Sequence, residues 1–525
     1  MPVPQSPRSN PLPMALLRDA LDRTLLEPQC AQRWHSLFTA WLETRDANRR
    51  ASVQDLLAKL PEGDPRADIL RLTFLAGTSG ASHYENTAAA LVLAAQPADP
   101  DRLAAFMAYR WLAALQTIAQ RPDFVADLSV GLVPEMAERL VQAATRQLPP
   151  GFVARRPDEI RRVAVVVPYV GHRFHTPSMM AVEQCIVLAR QGIQVQIFSA
   201  QELLPADAAL FRGDGRRLVL PPLQPKSWAG ILPAGINMTI SDSRYSLPGR
   251  WRNLMPTLAA FDPDAVLLVG LYSPLAGALY SLRPVVGISV NTVAPIAPLD
   301  VWLTAGPANV RGETWGGRFP APQAVHHPFR VKRPVAGTPL PRAELGIDDK
   351  AVVWISAGFR LEHEIRDEWA KRMLELVARY PQVVWLLVGG EGKLPPALAQ
   401  AGRGRVRALA TRDDLPAILR SSDIYVNPPR MGGGFSVAEA MAEGLPVIAL
   451  AGSDGGDKLG ELALPHLDAC TERLAALIEN PRLRREMGAA LRQRFDRQLD
   501  IAASGPALLE AFKVASGLAR ERLHA

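Results

Sequence analysis

The sequence predicts an α/β protein in which an all-α segment is followed by two tandem doubly wound parallel sheets. Three observations carry this. From Val163 onward, short uninterrupted Val/Ile/Leu runs alternate with amphipathic helical patterns, as in strands buried on both faces. The alternation stops and restarts across one linker, RVKRPVAGTPLPRAELGIDDK. Before Gly151 the pattern is helical throughout. The 525 residues suit about three to four domains of average size. The expected divisions are a disordered start over 1–13, helices over 14–155, one sheet domain over 156–335 and a second over 336–525 with C-terminal helices.

Each element follows from local pattern. MALLRDALDRTLL, AQRWHSLFTAWLETRD, RASVQDLLAKL, RADILRLTFLAG and DRLAAFMAYRWLAALQTIAQ space their apolar residues three and four apart, and no fixed repeat recurs. Trp34, Trp41 and Trp111 sit on these apolar faces and are expected in the core. The Pro/Gly/Arg stretch LPPGFVARRPDEIRR ends the helical segment. VAVVVPYV, IQVQIF, AVLLVG and VVGISV are the strands of the first sheet, with MAVEQCIVLARQ a helix between them. AVVWISAG, VVWLLVG, VRAL, DIYVN and PVIAL build the second, with a long helix near Asp367 to Arg379, and the tail is amphipathic helix to Leu523. In such sheets ligands bind beyond the carboxyl ends of the strands, so residues just after strands are where chemistry is sought.

Composition narrows the function classes. Apolar residues make up 48% and charged residues 21%, which excludes disordered and fibrous chains. The net charge of +7 is modest and does not select nucleic acid as a partner; anionic small molecules suit it equally well. Cys30, Cys185 and Cys470 are far apart and form no CxxC pair, so neither a disulfide framework nor a zinc site is expected, and a reducing cytoplasm is. His326-His327 lacks the spacing of a metal pair. No run reaches the ~20 apolar residues that span a bilayer. Arg250-Trp251-Arg252 is a basic and aromatic triplet suited to peripheral membrane contact.

The chemistry concentrates in SSDIYVNPPRMGGGFSVAEAMAEGLPVIAL. A strand over 423–427 runs into Gly432, Gly433 and Gly434, and a helix is expected from near Ser436 to Gly444. Bare backbone beside a helix start suits a phosphate or diphosphate. Ser436 and Glu439 also have capping-box spacing, in which the glutamate reaches back to the cap. After the first strand of the second sheet, AVVWISAGFRLEHEIRDEW offers Arg360 and Arg366 as planar charge-assisted donors to phosphate; Glu362, Glu364, Asp367 and Glu368 are alternative partners for Arg366. In the first sheet, VAVVVPYVGHRFHTPSMM puts His172 and His175 on the loop after the strand, with Thr176 as the expected N-cap and Pro177 at the first helical position. An imidazole there can take a proton from an acceptor hydroxyl, bond the sugar or bond nearby backbone. Weaker candidates are Asn291 and Asp300, on loops that could line the acceptor side, and Asp457 and Lys458, after PVIAL, that could touch donor sugar hydroxyls; turns are the alternative for all four.

The glycine-loop stretch resembles the signature of GT-B glycosyltransferases, especially the group-1 enzymes that use nucleotide-sugar donors, whose loop reads E-G-F-G-x-[PS]-V-x-E-A-M-A-x-G-x-P-V-I. Ser436, Val437, Glu439, Ala440, Met441, Gly444, Pro446 and Val447 match in register, and the resemblance runs from about Val163 to the C-terminus. It implies a GT-B fold and a metal-independent hexosyltransferase with no cofactor beyond its donor, a nucleotide-diphosphate sugar. It also implies that Glu439 meets the ribose, that amides of Gly432, Gly433, Gly434, Phe435 and Ser436 hold the diphosphate, and that Arg360 and Arg366 neutralise it. The signature's first glutamate falls on Met431, which motivates a second class, a catalytically silent GT-B partner subunit. If the reaction inverts, His175 or His172 is the base; if it retains, none is needed there. A helical domain before a GT-B core resembles cytoplasmic enzymes that glycosylate proteins such as flagellins and adhesins. The implied acceptor is therefore a protein or a glycan, the latter as in surface polysaccharide or lipopolysaccharide assembly, with a sugar epimerase more distant.

Overall fold

The structure is a computed structural model that describes residues 12–524, apart from 96–97, 118–131, 156, 172–174, 205–227, 229–231, 289–293, 305–314, 316, 366, 400–403 and 431–433. The chain starts as helices Leu12–Leu26, Ala31–Glu43, Ala47–Ala58, Pro65–Ser79, Ser82–Ala94, Pro100–Thr117 and Val133–Thr145. Three begin on aspartate caps: Asp46 accepts from the Asn48 and Arg49 amides, Asp64 from those of Arg66 and Ala67, and Asp99 from those of Asp101 and Arg102, with Pro65 and Pro100 opening the last two of these helices. Trp34, Phe38, Leu57 and Phe74 form the core of the first four. Trp34 is buried, with its indole N–H donated to the Pro28 carbonyl at 2.7 Å.

Seven parallel strands make the first sheet: β1 (Arg162–Val166), β2 (Gln194–Ser199), β3 (Asn237–Ile240), β4 (Ala265–Val269), β5 (Val285–Ile288), β6 (Val301–Thr304) and β7 (Gln323–His326), in the order β3-β2-β1-β4-β5-β6-β7. Successive residues feed opposite faces. Ala164, Val166, Val266 and Leu268 pack with Phe106, Met136, Leu140 and Trp251, so the later N-terminal helices share one core with this sheet. Val163, Val165, Ala265 and Leu267 pack on the other face with Met180, Leu188, Leu508 and Phe512. The last helix, Ser504–His524, therefore returns to the first sheet.

Five parallel strands make the second sheet: β8 (Val352–Ala357), β9 (Val383–Val388), β10 (Val406–Leu409), β11 (Ile424–Val426) and β12 (Val447–Ile448), in the order β10-β9-β8-β11-β12. Its core holds Trp354, Trp385, Met373, Val437 and Met441. The chain crosses between sheets twice, side by side: the Val331 amide donates to the Leu499 carbonyl at 2.8 Å and the Ile501 amide to the Val331 carbonyl at 3.0 Å. In each sheet strand order reverses beside the first strand, at β1/β4 and at β8/β11. Those reversals open the crevices where doubly wound sheets take ligands.

Two expectations are corrected here. Arg250 and Trp251 are 1% and 0% exposed. The guanidinium donates to the carbonyls of Gln201, Tyr245 and Ser243, and the indole to Glu202, so this triplet cannot form a membrane-facing patch. Asp300 lies at the amino end of β6, accepts from the Val285 amide at 2.8 Å and pairs with Arg522 at 3.2 Å, which ties the last helix to the sheet. It is structural. Asn291 lies outside the described residues. Among the described residues, no helix is long and apolar enough to cross a membrane, and no group of His, Cys, Asp and Glu is arranged to hold a metal ion.

Candidate active site

The crevice of the second sheet is built at the ends of β8 and β11. Arg430, beyond β11, turns back into the protein, its side chain 3% exposed. It donates to the Ala357 carbonyl at 2.8 Å, to Asn427 Oδ1 at 3.0 and 3.1 Å and to Glu364 at 3.0 Å. A Cβ on Gly358 would lie 2.3 Å from this guanidinium, so only glycine fits there. Glu364 Oε1 accepts from Arg360, at 2.9 Å, so one carboxylate bridges a buried and a half-exposed arginine. Burial pushes the Glu364 carboxyl up, but the charges of Arg430 and Arg360 and their hydrogen bonds hold it below the usual carboxylate range. Arg360 stands where the sequence places it, just beyond β8, before the short helix Leu361–Glu364. Arg366 lies outside the described residues.

The helix expected near Ser436 begins at Gly434 and runs to Ala442. Ser436 is consequently inside it, and its hydroxyl accepts from Tyr425 at 2.8 Å and donates to the Ala357 carbonyl at 3.2 Å. With the serine committed to the strand ends, the capping-box alternative for Glu439 does not form. Burial, then Glu443, pushes the Glu439 carboxyl up to about 7, and among the described residues it accepts no hydrogen bond. Phe435 packs against the cores of both sheets. Gly434 is the first residue of the helix, whereas Met431, Gly432 and Gly433 lie outside the described residues.

Across the crevice, helix Thr176–Arg190 brings Glu183, which the sequence reading missed. It is 7% exposed, and its Oε2 has no partner among the described residues. Burial and the Glu439 charge push it up from 4.5 to about 8, against a weaker pull from Lys332. Because the folded-state value lies above the unfolded one, the protonated form favours the folded state below about 4.5. That favour is lost as pH rises toward 8. Glu183→Gln should therefore stabilise the protein at pH 9, on the order of 2–4 kcal/mol, with the gain shrinking toward pH 5. Urea melts at the two pH values check this; an equal gain at both, or a loss at pH 9, contradicts it.

On the first-sheet side, His175 rather than Thr176 takes the N-cap position, without a side-chain bond to the helix amides, and Thr176 is the first helical residue. His175 Nδ1 hydrogen-bonds Ser178 Oγ at 2.7 Å, and the same hydroxyl accepts from the Gly171 amide at 3.0 Å. The ring meets Tyr169 edge-on, centroids 5.0 Å apart. His172 lies outside the described residues. After β12, Asp457 faces water while its neighbour Lys458 is buried.

Two Rossmann-like units, each a helix-covered parallel sheet with its crevice at the strand-order reversal, define the GT-B glycosyltransferase fold. Residues 352–480, which hold the second sheet, match the sequence model of the family Glycosyl transferases group 1. In structure the chain is similar to a mutant of the Thermobaculum terrenum O-GlcNAc transferase, with 14% identity and a TM-score of 0.50 over 98% of this chain and 100% of that one. Matches also include WaaG, a glycosyltransferase involved in lipopolysaccharide biosynthesis, at 14% identity and TM-score 0.43 over 66% of this chain and 98% of that one. A third is the glycosyltransferase SnogD from Streptomyces nogalater, at 14% identity and TM-score 0.37 over 67% of this chain and 100% of that one. No curated protein matches the chain by sequence.

Proposed function

We propose that this protein transfers a sugar from a nucleotide-diphosphate donor to a polypeptide acceptor. The observation that carries the donor half is the convergence of Arg360, the start of helix Gly434–Ala442 and the unpartnered Glu439 carboxylate at the β8/β11 reversal. Glu439 accepts from the ribose hydroxyls. Arg360, Arg366 and the loop amides meet the diphosphate, and their charge stabilises it as the bond from the anomeric carbon breaks and the acceptor's nucleophile bonds to that carbon. No metal is required, because these donors take over the neutralising role. The β1/β4 crevice lies on the acceptor side, where His175 removes the acceptor proton if the reaction inverts. A polypeptide acceptor is favoured by the helical region, which is continuous with the core of the first sheet and offers acceptor surface beyond the two crevices.

A thermal-shift screen of nucleotides and nucleotide sugars tests this reading, since a ligand bound only to the folded state raises the melting temperature. One nucleotide class should stabilise the protein. Glu439→Gln should weaken that nucleotide by roughly ten- to a hundredfold, the range for a hydrogen bond to a charged group. Wild-type affinity should rise as pH passes through about 7, as the carboxylate forms, and the variant should lack that rise. Unchanged affinity in Glu439→Gln would remove this residue from the site, and no stabilising nucleotide at all would remove the function.

A further inference from the structure

Lys458 is 4% exposed, on the short helix Asp454–Leu459 that follows β12. Among the described residues its ammonium makes no hydrogen bond and no ion pair. Its polar end lies over the Phe329 ring, 4.5 Å from the centroid. Phe329 precedes the crossing into the second sheet and packs against the core of the first. The stem of the lysine runs past the start of helix Gly434–Ala442: a Cβ on Gly434 would stand 3.1 Å from Lys458 Cε. The cation is thus held at the junction of the two sheets, against the positive end of a nine-residue helix.

An apolar side chain would fill this place without the cost of burying a charge that has no carboxylate partner. Burial depresses the Lys458 pKa, with Arg494 adding to it and Asp454 and Asp457 pulling back only in part, so further negative charge beside the ammonium would stabilise it. Helix end and lysine both favour an anion, and they adjoin each other beyond the carboxyl ends of β11 and β12.

We propose that Lys458 binds a phosphate oxyanion of the nucleoside diphosphate, at the first turn of helix Gly434–Ala442. The inference rests on the donor-site reading above and adds to it a cation that the glycosyltransferase signature does not supply. Lys458 also links donor binding to the sheet junction, because taking up phosphate draws its charge away from Phe329.

Calorimetric titration of wild type and Lys458→Met with uridine, guanosine, adenosine and thymidine diphosphates, their nucleosides and inorganic pyrophosphate tests it. The variant should bind the preferred diphosphate and pyrophosphate ten- to a hundredfold more weakly and the nucleoside unchanged. Without nucleotide it should melt at or above the wild-type temperature, an outcome that a merely structural lysine would not give. Lys458→Gln carries the same affinity expectation and serves if the methionine variant misfolds. Equal diphosphate affinity in either folded variant overturns the Lys458 assignment and leaves the donor-site reading intact. If the wild type binds none of the diphosphates, both are overturned.

Discussion

Replacing Arg430 with methionine should destabilise the second sheet by about 3–5 kcal/mol, the usual cost of removing one partner of a buried ion pair. The side chain fastens the end of β8 through the Ala357 carbonyl, the end of β11 through Asn427 and the short helix after β8 through Glu364. Methionine fills much of the volume but leaves Glu364, whose side chain is 9% exposed, with Arg360 as its one remaining guanidinium among the described residues. The melting temperature of this body should fall on the order of 10 °C. Adding Glu364→Gln should recover a large part, because the uncompensated charge, not lost packing, is the main penalty. A single variant within 1 kcal/mol of wild type (roughly the spread of ordinary substitutions) would show that Arg430 does not organise the crevice.

Arg360→Ala should do the reverse, with little change in stability and a large loss of rate. Its side chain is 44% exposed, so its pair with Glu364 is worth less than about 1 kcal/mol. In the proposed donor complex its fork would turn to the diphosphate, on which negative charge grows as the glycosidic bond breaks. Loss of one such donor costs on the order of 10² to 10³ in turnover. Arg360→Lys keeps the charge without the planar fork and should rescue only partly. A folded Arg360→Ala enzyme with near-normal kcat and KM would place the phosphate site elsewhere.

Pattern alone reached much of this architecture. Nine of the twelve strands are legible as Val/Ile/Leu runs because parallel strands covered on both faces can hold little else. β3, β6 and β7 are not: β3 and β7 are four-residue edge strands, half open to water, whose Asn-Met-Thr-Ile and Gln-Ala-Val-His lack a buried run, and β6 is a buried but four-residue Val-Trp-Leu-Thr, too short to stand out. The return of helix Ser504–His524 to the first sheet is equally silent, since an amphipathic pattern states that a face is buried and not against what. In the site, Ser436 and Glu439 stand out through motif register, and Arg360 through its place after a strand. Arg430 sits inside the quoted motif, but spacing does not distinguish a buried guanidinium from a solvated one. Glu183 lies in a helix where a polar residue usually faces water, and only the second sheet reveals its partner across the crevice. The reverse error occurs at Arg250 and Trp251, where a surface-like triplet is fully enclosed.

The central claim is that the crevice between β8 and β11 breaks the bond between a sugar and a nucleoside diphosphate. The most direct measurement is release of free nucleoside diphosphate from a panel of nucleotide sugars by the pure protein, with and without cell extract as a source of acceptor. The account predicts release from one donor class, faster with extract, and lowered on the order of 10² to 10³ by Arg360→Ala. Binding of a nucleotide sugar without release under any of these conditions would contradict it, and would leave the protein as a silent partner that keeps the fold without the reaction.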